Sequence, residues 1–225
     1  MERGTCHSCE VIEEWSEPAH ASWYLCIADR FPHRKEGEAV VLEQIPRNTG
    51  RVLDLGTGDG RLLALVLSVR PGASGVALDG SEPMLQAAAN RFEGNKAVEI
   101  VAHDLTLPLP ALGTFDAVVS SFAIHHLEDD RKRALYAEIF DILEPGGVFC
   151  NLEHVSSPTP ALHARWRRAL GIDGEQEDAS NRCRDVQTQL SWLAEIGFED
   201  VDCYWKWMEM ALLCGLKPSW VTKPA

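Results

Sequence analysis

The sequence has no uninterrupted apolar run that approaches the roughly 18 residues needed to span a membrane. Its opening segment, Met1–Glu10, is polar and lacks the apolar core of a secretion signal. We therefore expect a cytoplasmic protein with no membrane partner.

Basic residues are scarce. The chain has 21 lysines and arginines against 34 acidic residues, which gives a formal net charge of −13. Proteins that bind nucleic acids broadly need a basic face, so this balance argues against a large RNA or DNA substrate, although a local basic patch stays open. The acidic excess suits a cationic ligand, and solubility explains it equally well.

A disulfide framework and a paired metal motif are both missing. The seven cysteines are odd in number and scattered, so we expect reduced thiols. Cys6 and Cys9 have the spacing of metal ligands, but no second such pair follows. We predict no metal site.

What the sequence does contain is a regular alternation of short apolar runs and helical patterns. The runs that predict strands are followed by segments with apolar residues at helical spacing, which is typical of a parallel, doubly wound α/β sheet. A helix over 186–196 that ends at Gly197 precedes two closing strands. The predicted strands are 52–55, 74–79, 98–102, 115–121, 148–155, 201–207 and 209–216.

The segment Arg51–Arg61 combines a buried strand, a glycine turn and the start of a helix. Gly56, Gly58 and Gly60 alternate with other residues, and Arg61 stands where a dinucleotide-binding fingerprint has its third glycine. Asp54 lies two residues before the first glycine. The backbone N–H groups at a helix start and the open glycine backbone favour a ligand here.

A second acidic residue strengthens this prediction. Asp79 closes the next apolar run, 19 residues after Gly60. An acid about 20 residues beyond the glycines is the expected acceptor for ribose hydroxyls. The alternative is an ordinary strand–helix turn without a ligand.

These patterns resemble the class I S-adenosylmethionine (SAM) methyltransferases over about 51–217. Five motifs stand in that family's order: Val52–Gly60, Gly75–Asp79, Ala102–Leu105, Phe115–Leu127 and Leu143–Gly147. The resemblance implies a Rossmann-like sheet of seven strands, the seventh antiparallel, that binds SAM and passes its methyl group to a small molecule.

The resemblance also implies which residues bind the cofactor. Asp79 would accept from both ribose hydroxyls, Met84 would pack on adenine, and Asp104 would accept from the adenine amine. Residues after the fourth strand would line the methionine half. The implied cofactor residues are Arg34, Asp54, Gly56, Thr57, Gly58, Gly60, Asp79, Gly80, Ser81, Met84, His103, Asp104, Leu105, Ser120 and Ser121.

A general base is needed only if the acceptor must lose a proton. The candidates are His125 and His126, which follow the fourth strand, and Glu153 and His154, which close the fifth. We favour His126, with Glu153 beside it. The alternative is that the two histidines only pack and cap the following helix.

Residues 1–50 precede the nucleotide-binding unit of 51–225 and read as a helical cap or lid, with helices over 10–15, 20–30 and 34–45. In related families an arginine or tyrosine near this point binds the SAM carboxylate, which makes Arg34 a candidate. A solvated helix arginine is the alternative.

Two other functions remain open. A weaker likeness to the carboxy-SAM synthases of tRNA modification rests on Ala28–Pro32, Trp192–Phe198 and the arginines Arg182 and Arg184. A non-catalytic SAM-binding subunit is the third possibility. The sequence is compatible with a monomer or a homodimer.

Overall fold

The computed structural model describes residues 31–172 and 180–220. Six α-helices are found in this part of the chain: α1 (Arg34–Gln44), α2 (Arg61–Val69), α3 (Glu82–Arg91), α4 (Asp129–Ile142), α5 (Pro160–Ala169) and α6 (Val186–Ile196). The strands are β1 (Arg51–Leu55), β2 (Ser74–Asp79), β3 (Val98–Ala102), β4 (Phe115–Ser121), β5 (Leu143–His154), β6 (Glu199–Trp207) and β7 (Met210–Leu216). None of the described helices is long and apolar enough to cross a membrane.

The strands form one sheet in the order β3-β2-β1-β4-β5-β7-β6. Neighbours from β3 to β5 are parallel, whereas β7 pairs antiparallel with both β5 and β6. The predicted seven-stranded sheet with an antiparallel seventh strand is confirmed. Because chain order reverses direction at β1 and β4, the carboxyl ends of these strands flank the crevice in which open α/β sheets bind ligands.

Both faces of the sheet are covered, which explains the nearly continuous apolar strands. One core lies between the sheet and α1 and α2, and includes Val41, Val52 and Leu63. The other lies between the sheet and α4 and α6, and includes Leu53 and Leu135. Strand alternation sends neighbouring residues of β1 into opposite cores.

Helix α1 lies close to the sheet. A Cβ on Gly37 would stand 2.9 Å from the Leu152 and Trp205 side chains, so only glycine fits without rearrangement. The helix ends at Gln44, one residue before the predicted end. The predicted helices over 10–15 and 20–30, and the pair Cys6 and Cys9, lie outside the described residues.

The predicted start of strand β5 was wrong. The strand begins at Leu143 rather than Val148, because backbone hydrogen bonds of 2.8 Å join Gly146 and Gly147 to Lys217. This difference depends on a partner far along the chain, which local sequence does not reveal.

Candidate functional site

Three glycines shape the turn after β1. Gly56, Gly58 and Gly60 have φ angles of 62°, 56° and 79°, in the left-handed region that favours glycine. A Cβ on Gly56 would collide with Ala123, and one on Gly60 would collide with the ring of Phe92. Nothing lies within 4 Å of a Cβ on Gly58, so its φ angle alone explains why glycine is favoured at this position.

Asp79 fastens the glycine turn to the start of α3. Its Oδ2 accepts a 2.8 Å hydrogen bond from the Gly58 N–H, and its Oδ1 accepts one of 2.9 Å from the Ser81 N–H. Burial raises the pKa of Asp79, and these N–H groups oppose that rise. A carboxylate offers about four lone pairs, so Asp79 can also accept from a ligand hydroxyl.

Asp54 lies beneath the same turn and is 1% exposed. Its Oδ2 accepts from Thr57 Oγ1 at 2.7 Å and from the Leu63 N–H at 3.2 Å. Burial raises the pKa of Asp54 to about 7, against the lowering effect of the Thr57 hydroxyl. Asp54 thus ties the strand end to the first turn of α2.

The segment after β3 is fixed by a clamp that the sequence did not reveal. Arg131 of α4 donates to the carbonyls of Leu105 at 2.7 Å and Leu107 at 2.8 Å. Its guanidinium also pairs with Glu138 at 2.5 and 2.9 Å. Asp104 closes the segment locally by accepting from the Thr106 N–H and hydroxyl at 2.8 and 2.6 Å. The result is a rigid wall at the end of β3.

These elements enclose a cavity of about 630 Å³ at the carboxyl ends of β1, β2 and β4. The predicted site residues that line it are Arg34, Asp54, Gly56, Thr57, Gly58, Asp79, Gly80, Ser81, Met84, Asp104, Leu105, Ser121 and His126. Phe122 and Ala123 also line it, within the segment after the fourth strand that the resemblance placed at the methionine half. Lining residues that sequence reasoning missed include Asp59, Arg61, Glu128 and Arg131.

Five predicted residues are absent from the described cavity lining. Gly60 packs on Phe92, and Ser120 is buried and donates to the Leu55 carbonyl at 2.8 Å, which ties β4 to β1. His103 has a buried Nε2 without a hydrogen-bond partner among the described residues. The other two are His125 and Glu153, which lie behind the cavity wall.

The predicted histidine pair lies on a short 3₁₀ turn, Ile124–His126, after β4. Consecutive residues of such a turn point about 120° apart, since it has three residues per turn. His126 faces the cavity, and its Nδ1 lies 2.9 Å from Ser180 Oγ. His125 turns inward, and its Nδ1 lies 2.6 Å from Glu153 Oε1. The Glu153 carboxylate therefore hydrogen-bonds to His125, and it is close enough to His126 to interact with it electrostatically.

Glu153 belongs to a buried polar layer behind the histidines. It is 1% exposed, and burial raises its pKa to about 7 even though it also accepts from the His154 N–H at 2.8 Å. Lys132, also 1% exposed, donates to the Leu127 carbonyl at 2.6 Å and to the Arg182 carbonyl. Burial lowers the pKa of Lys132. The lysine joins the histidine turn to the segment before α6.

At the other end of the cavity, two arginines share one buried carboxylate. Arg34 Nε donates to Glu38 Oε1 at 3.0 Å. Arg61 donates to both Glu38 oxygens, at 2.7 and 2.9 Å. Both arginines line the cavity and bring positive charge to it.

Ser121 gives a direct sign of a polar ligand. Its Oγ is buried and has no hydrogen-bond partner in the described part of the chain, and the residue lines the cavity. Buried hydroxyls are normally satisfied. A bound molecule with a polar group at this position would supply the missing partner.

Comparisons with known proteins agree with this geometry. Residues 52–147 match the model of a family described as a methyltransferase domain. An uncharacterized methyltransferase of Mycobacterium tuberculosis is 36% identical over 125 residues, or 56% of this chain and 59% of the relative. A demethylmenaquinone methyltransferase of Thermus thermophilus is 34% identical over 136 residues, or 60% and 59%. The matches thus span about three fifths of these relatives' length.

A solved methyltransferase structure is similar to this chain over more of its length. The mitomycin 7-O-methyltransferase superposes with a TM-score of 0.69 at 18% identity, over 96% of this chain and 61% of that one. The chain has the Rossmann-like fold of the methyltransferases, and residues 52–147 also resemble that family in sequence. At this identity the superposition carries the fold alone.

Arg182 and Arg184, which motivated the carboxy-SAM alternative, do not contribute to the described lining of the cavity. Arg182 Nε pairs with Glu128 at 3.1 Å, and Arg184 pairs with Asp129 at 3.1 Å. The described contacts therefore give that alternative no support.

Proposed function

We propose that this chain is a SAM-dependent methyltransferase that acts on a small-molecule acceptor. The observation that carries the proposal is Asp79, a half-buried carboxylate fixed by the Gly58 and Ser81 N–H groups at the cavity wall. Ribose hydroxyls are donors that complement such a carboxylate. The cavity of about 630 Å³ also falls within the usual range of about 300–1,000 Å³ for small-ligand sites.

The other lining residues fit the remaining parts of the cofactor. Met84, Leu105 and the fixed segment at Asp104 suit an adenine ring, and Arg34 suits the methionine carboxylate. The sulfonium of the bound cofactor supplies an already activated methyl group. The protein chiefly has to bind, align and exclude water.

His126 is the base that we propose for an acceptor that must lose a proton. Its Nδ1 lies 2.9 Å from Ser180 Oγ, and the residue lines the cavity. With the proton on Nδ1 and donated to the serine oxygen, Nε2 is the basic nitrogen. His125 and Glu153 support the turn from behind rather than touching the acceptor.

The acceptor class is proposed from two facts. The acidic net charge argues against nucleic acid, and the Thermus relative is named for a demethylmenaquinone acceptor, which is a small molecule. For this chain we propose a small-molecule acceptor, and we do not propose demethylmenaquinone itself.

The test is methyl transfer from labelled SAM by the purified chain, with separate low-mass and macromolecular fractions of a cell extract as acceptor sources. We expect label to enter the low-mass fraction and S-adenosylhomocysteine to form, and both to fall sharply in His126→Ala. Label in the macromolecular fraction alone would refute the small-molecule acceptor. SAM binding without turnover in any fraction would favour the non-catalytic subunit.

A further inference from the structure

Phe122 has a backbone conformation that bulky residues rarely adopt. It follows β4 directly, its φ angle is 54°, and its side chain lines the cavity. For a residue of this size a left-handed conformation is a true outlier, and such outliers concentrate at functional sites.

The surrounding backbone forces this conformation. The Phe122 N–H donates to the Leu152 carbonyl at 2.8 Å, which continues the pairing of β4 with β5 by one residue. The next residue, Ala123, packs against Gly56 so closely that a Cβ on that glycine would collide with it. The chain is therefore held on both sides of Phe122, and the strain persists.

The ring that this strain positions lies under an arginine. The Arg34 guanidinium carbon stands 5.3 Å from the centroid of the Phe122 ring, within the range of a cation–π contact. Phe31 stacks on Phe122 with centroids 6.4 Å apart and an interplanar angle of 17°. Arg34 itself is 6% exposed and bonds to Glu38 through Nε at 3.0 Å. Glu38 and Phe122 thus fix the guanidinium from two directions.

We propose that Phe122 is a positioning residue of the cofactor site. Its strained backbone places the ring where it orients the Arg34 guanidinium toward the methionine carboxylate of SAM. The inference rests on the proposed function, because it assumes that SAM occupies this cavity. Phe122 acts through Arg34, so removing its ring should affect only ligands that carry the carboxylate.

Two nucleosides separate this role from plain packing. S-adenosylhomocysteine has the amino-acid carboxylate, whereas 5′-methylthioadenosine has the same nucleoside and thioether sulfur without it. In calorimetry, Phe122→Leu should weaken S-adenosylhomocysteine about 2- to 30-fold, the range of a cation–π contact in a desolvated site. It should leave 5′-methylthioadenosine within about twofold, and Phe122→Tyr, which keeps the ring, should bind both as the wild type does.

A double-mutant cycle tests whether the effect passes through Arg34. In an Arg34→Met background, Phe122→Leu should produce no further loss of S-adenosylhomocysteine affinity. Additive losses, or equal weakening of both nucleosides by Phe122→Leu, would overturn the inference and leave the proposed function intact. A wild-type protein that binds neither nucleoside would overturn both.

A second pair of variants tests the strain. Phe122→Gly and Phe122→Ala both remove the ring, but glycine adopts a φ angle of this sign freely. The glycine variant should therefore melt at a higher temperature than the alanine variant, the reverse of the usual order. A higher melting temperature for the alanine variant would show that the backbone is not strained at this position.

Discussion

Replacing Glu153 with glutamine tests the buried polar layer behind the cavity. The Glu153 carboxylate is 1% exposed and bonds to His125 Nδ1 at 2.6 Å and to the His154 N–H at 2.8 Å. Glutamine keeps the shape and one oxygen acceptor but cannot ionise. The variant therefore isolates the cost of placing a charge at this position.

The direction of the pH effect follows from burial. Burial raises the pKa of Glu153 from 4.5 to about 7, although its hydrogen bond from the His154 N–H and the nearby His126 oppose the rise. Between these two values the folded protein keeps a proton that the unfolded chain has released, so its stability falls as pH rises. At about 1.4 kcal/mol per pKa unit, the carboxyl costs up to about 3 kcal/mol of folding stability by pH 7. Above the folded pKa its contribution no longer changes.

The assay is urea unfolding of wild type and Glu153→Gln at several pH values from 5 to 8, with Glu93→Gln as an exposed control. The control changes the net charge equally, and groups such as Asp54 titrate in all three proteins. We expect the wild type and the control to lose stability relative to Glu153→Gln as pH rises toward 7. If the stability of all three proteins changed equally with pH, burial would not have raised the pKa of Glu153. The carboxylate would then stay ionised beside a charged His125.

Three further predictions follow from the site. For a hydroxyl or protonated-amine acceptor, His126→Ala should lower kcat about 10²–10⁴-fold, which is the usual contribution of a positioned base, and should leave SAM affinity unchanged. A loss of kcat under about tenfold in steady-state kinetics would remove His126 from that role. Gly56→Ala should lower the unfolding free energy by at least about 1 kcal/mol in urea titrations, because its new Cβ meets Ala123 at a left-handed residue. Lys132→Met leaves the carbonyls of Leu127 and Arg182 without their donor, and should lower the free energy of unfolding by about 1–3 kcal/mol for each. A stability equal to that of the wild type would contradict these hydrogen bonds.

Features encoded locally could be predicted from the sequence. The strand, glycine turn and helix around Asp54 follow from apolar spacing and glycine positions within a dozen residues. Asp79 follows from the same rhythm one strand later, and its role toward ribose stays a prediction. The antiparallel seventh strand came from the family resemblance rather than from periodicity.

Features that depend on distant partners could not be predicted. Nothing in the sequence near Arg131 shows that it reaches the carbonyls of Leu105 and Leu107, because α4 and that segment meet only in the folded sheet. The two histidines looked equivalent in the sequence, and the 3₁₀ turn decides that His125 bonds to Glu153. The left-handed conformation of Phe122 carried no signal in the sequence, since its φ angle is set by neighbouring strands.

The most direct test of the account is calorimetric titration of SAM into the wild type and Asp79→Ala. We predict one SAM per chain, and a loss of about 1–3 kcal/mol in binding free energy for the variant, because two desolvated ribose hydroxyls lose their acceptor. Circular dichroism confirms that the variant is folded, since Asp79 also holds the Gly58 and Ser81 N–H groups. A wild type that does not bind SAM, or a folded variant with unchanged affinity, would contradict the assignment of this cavity.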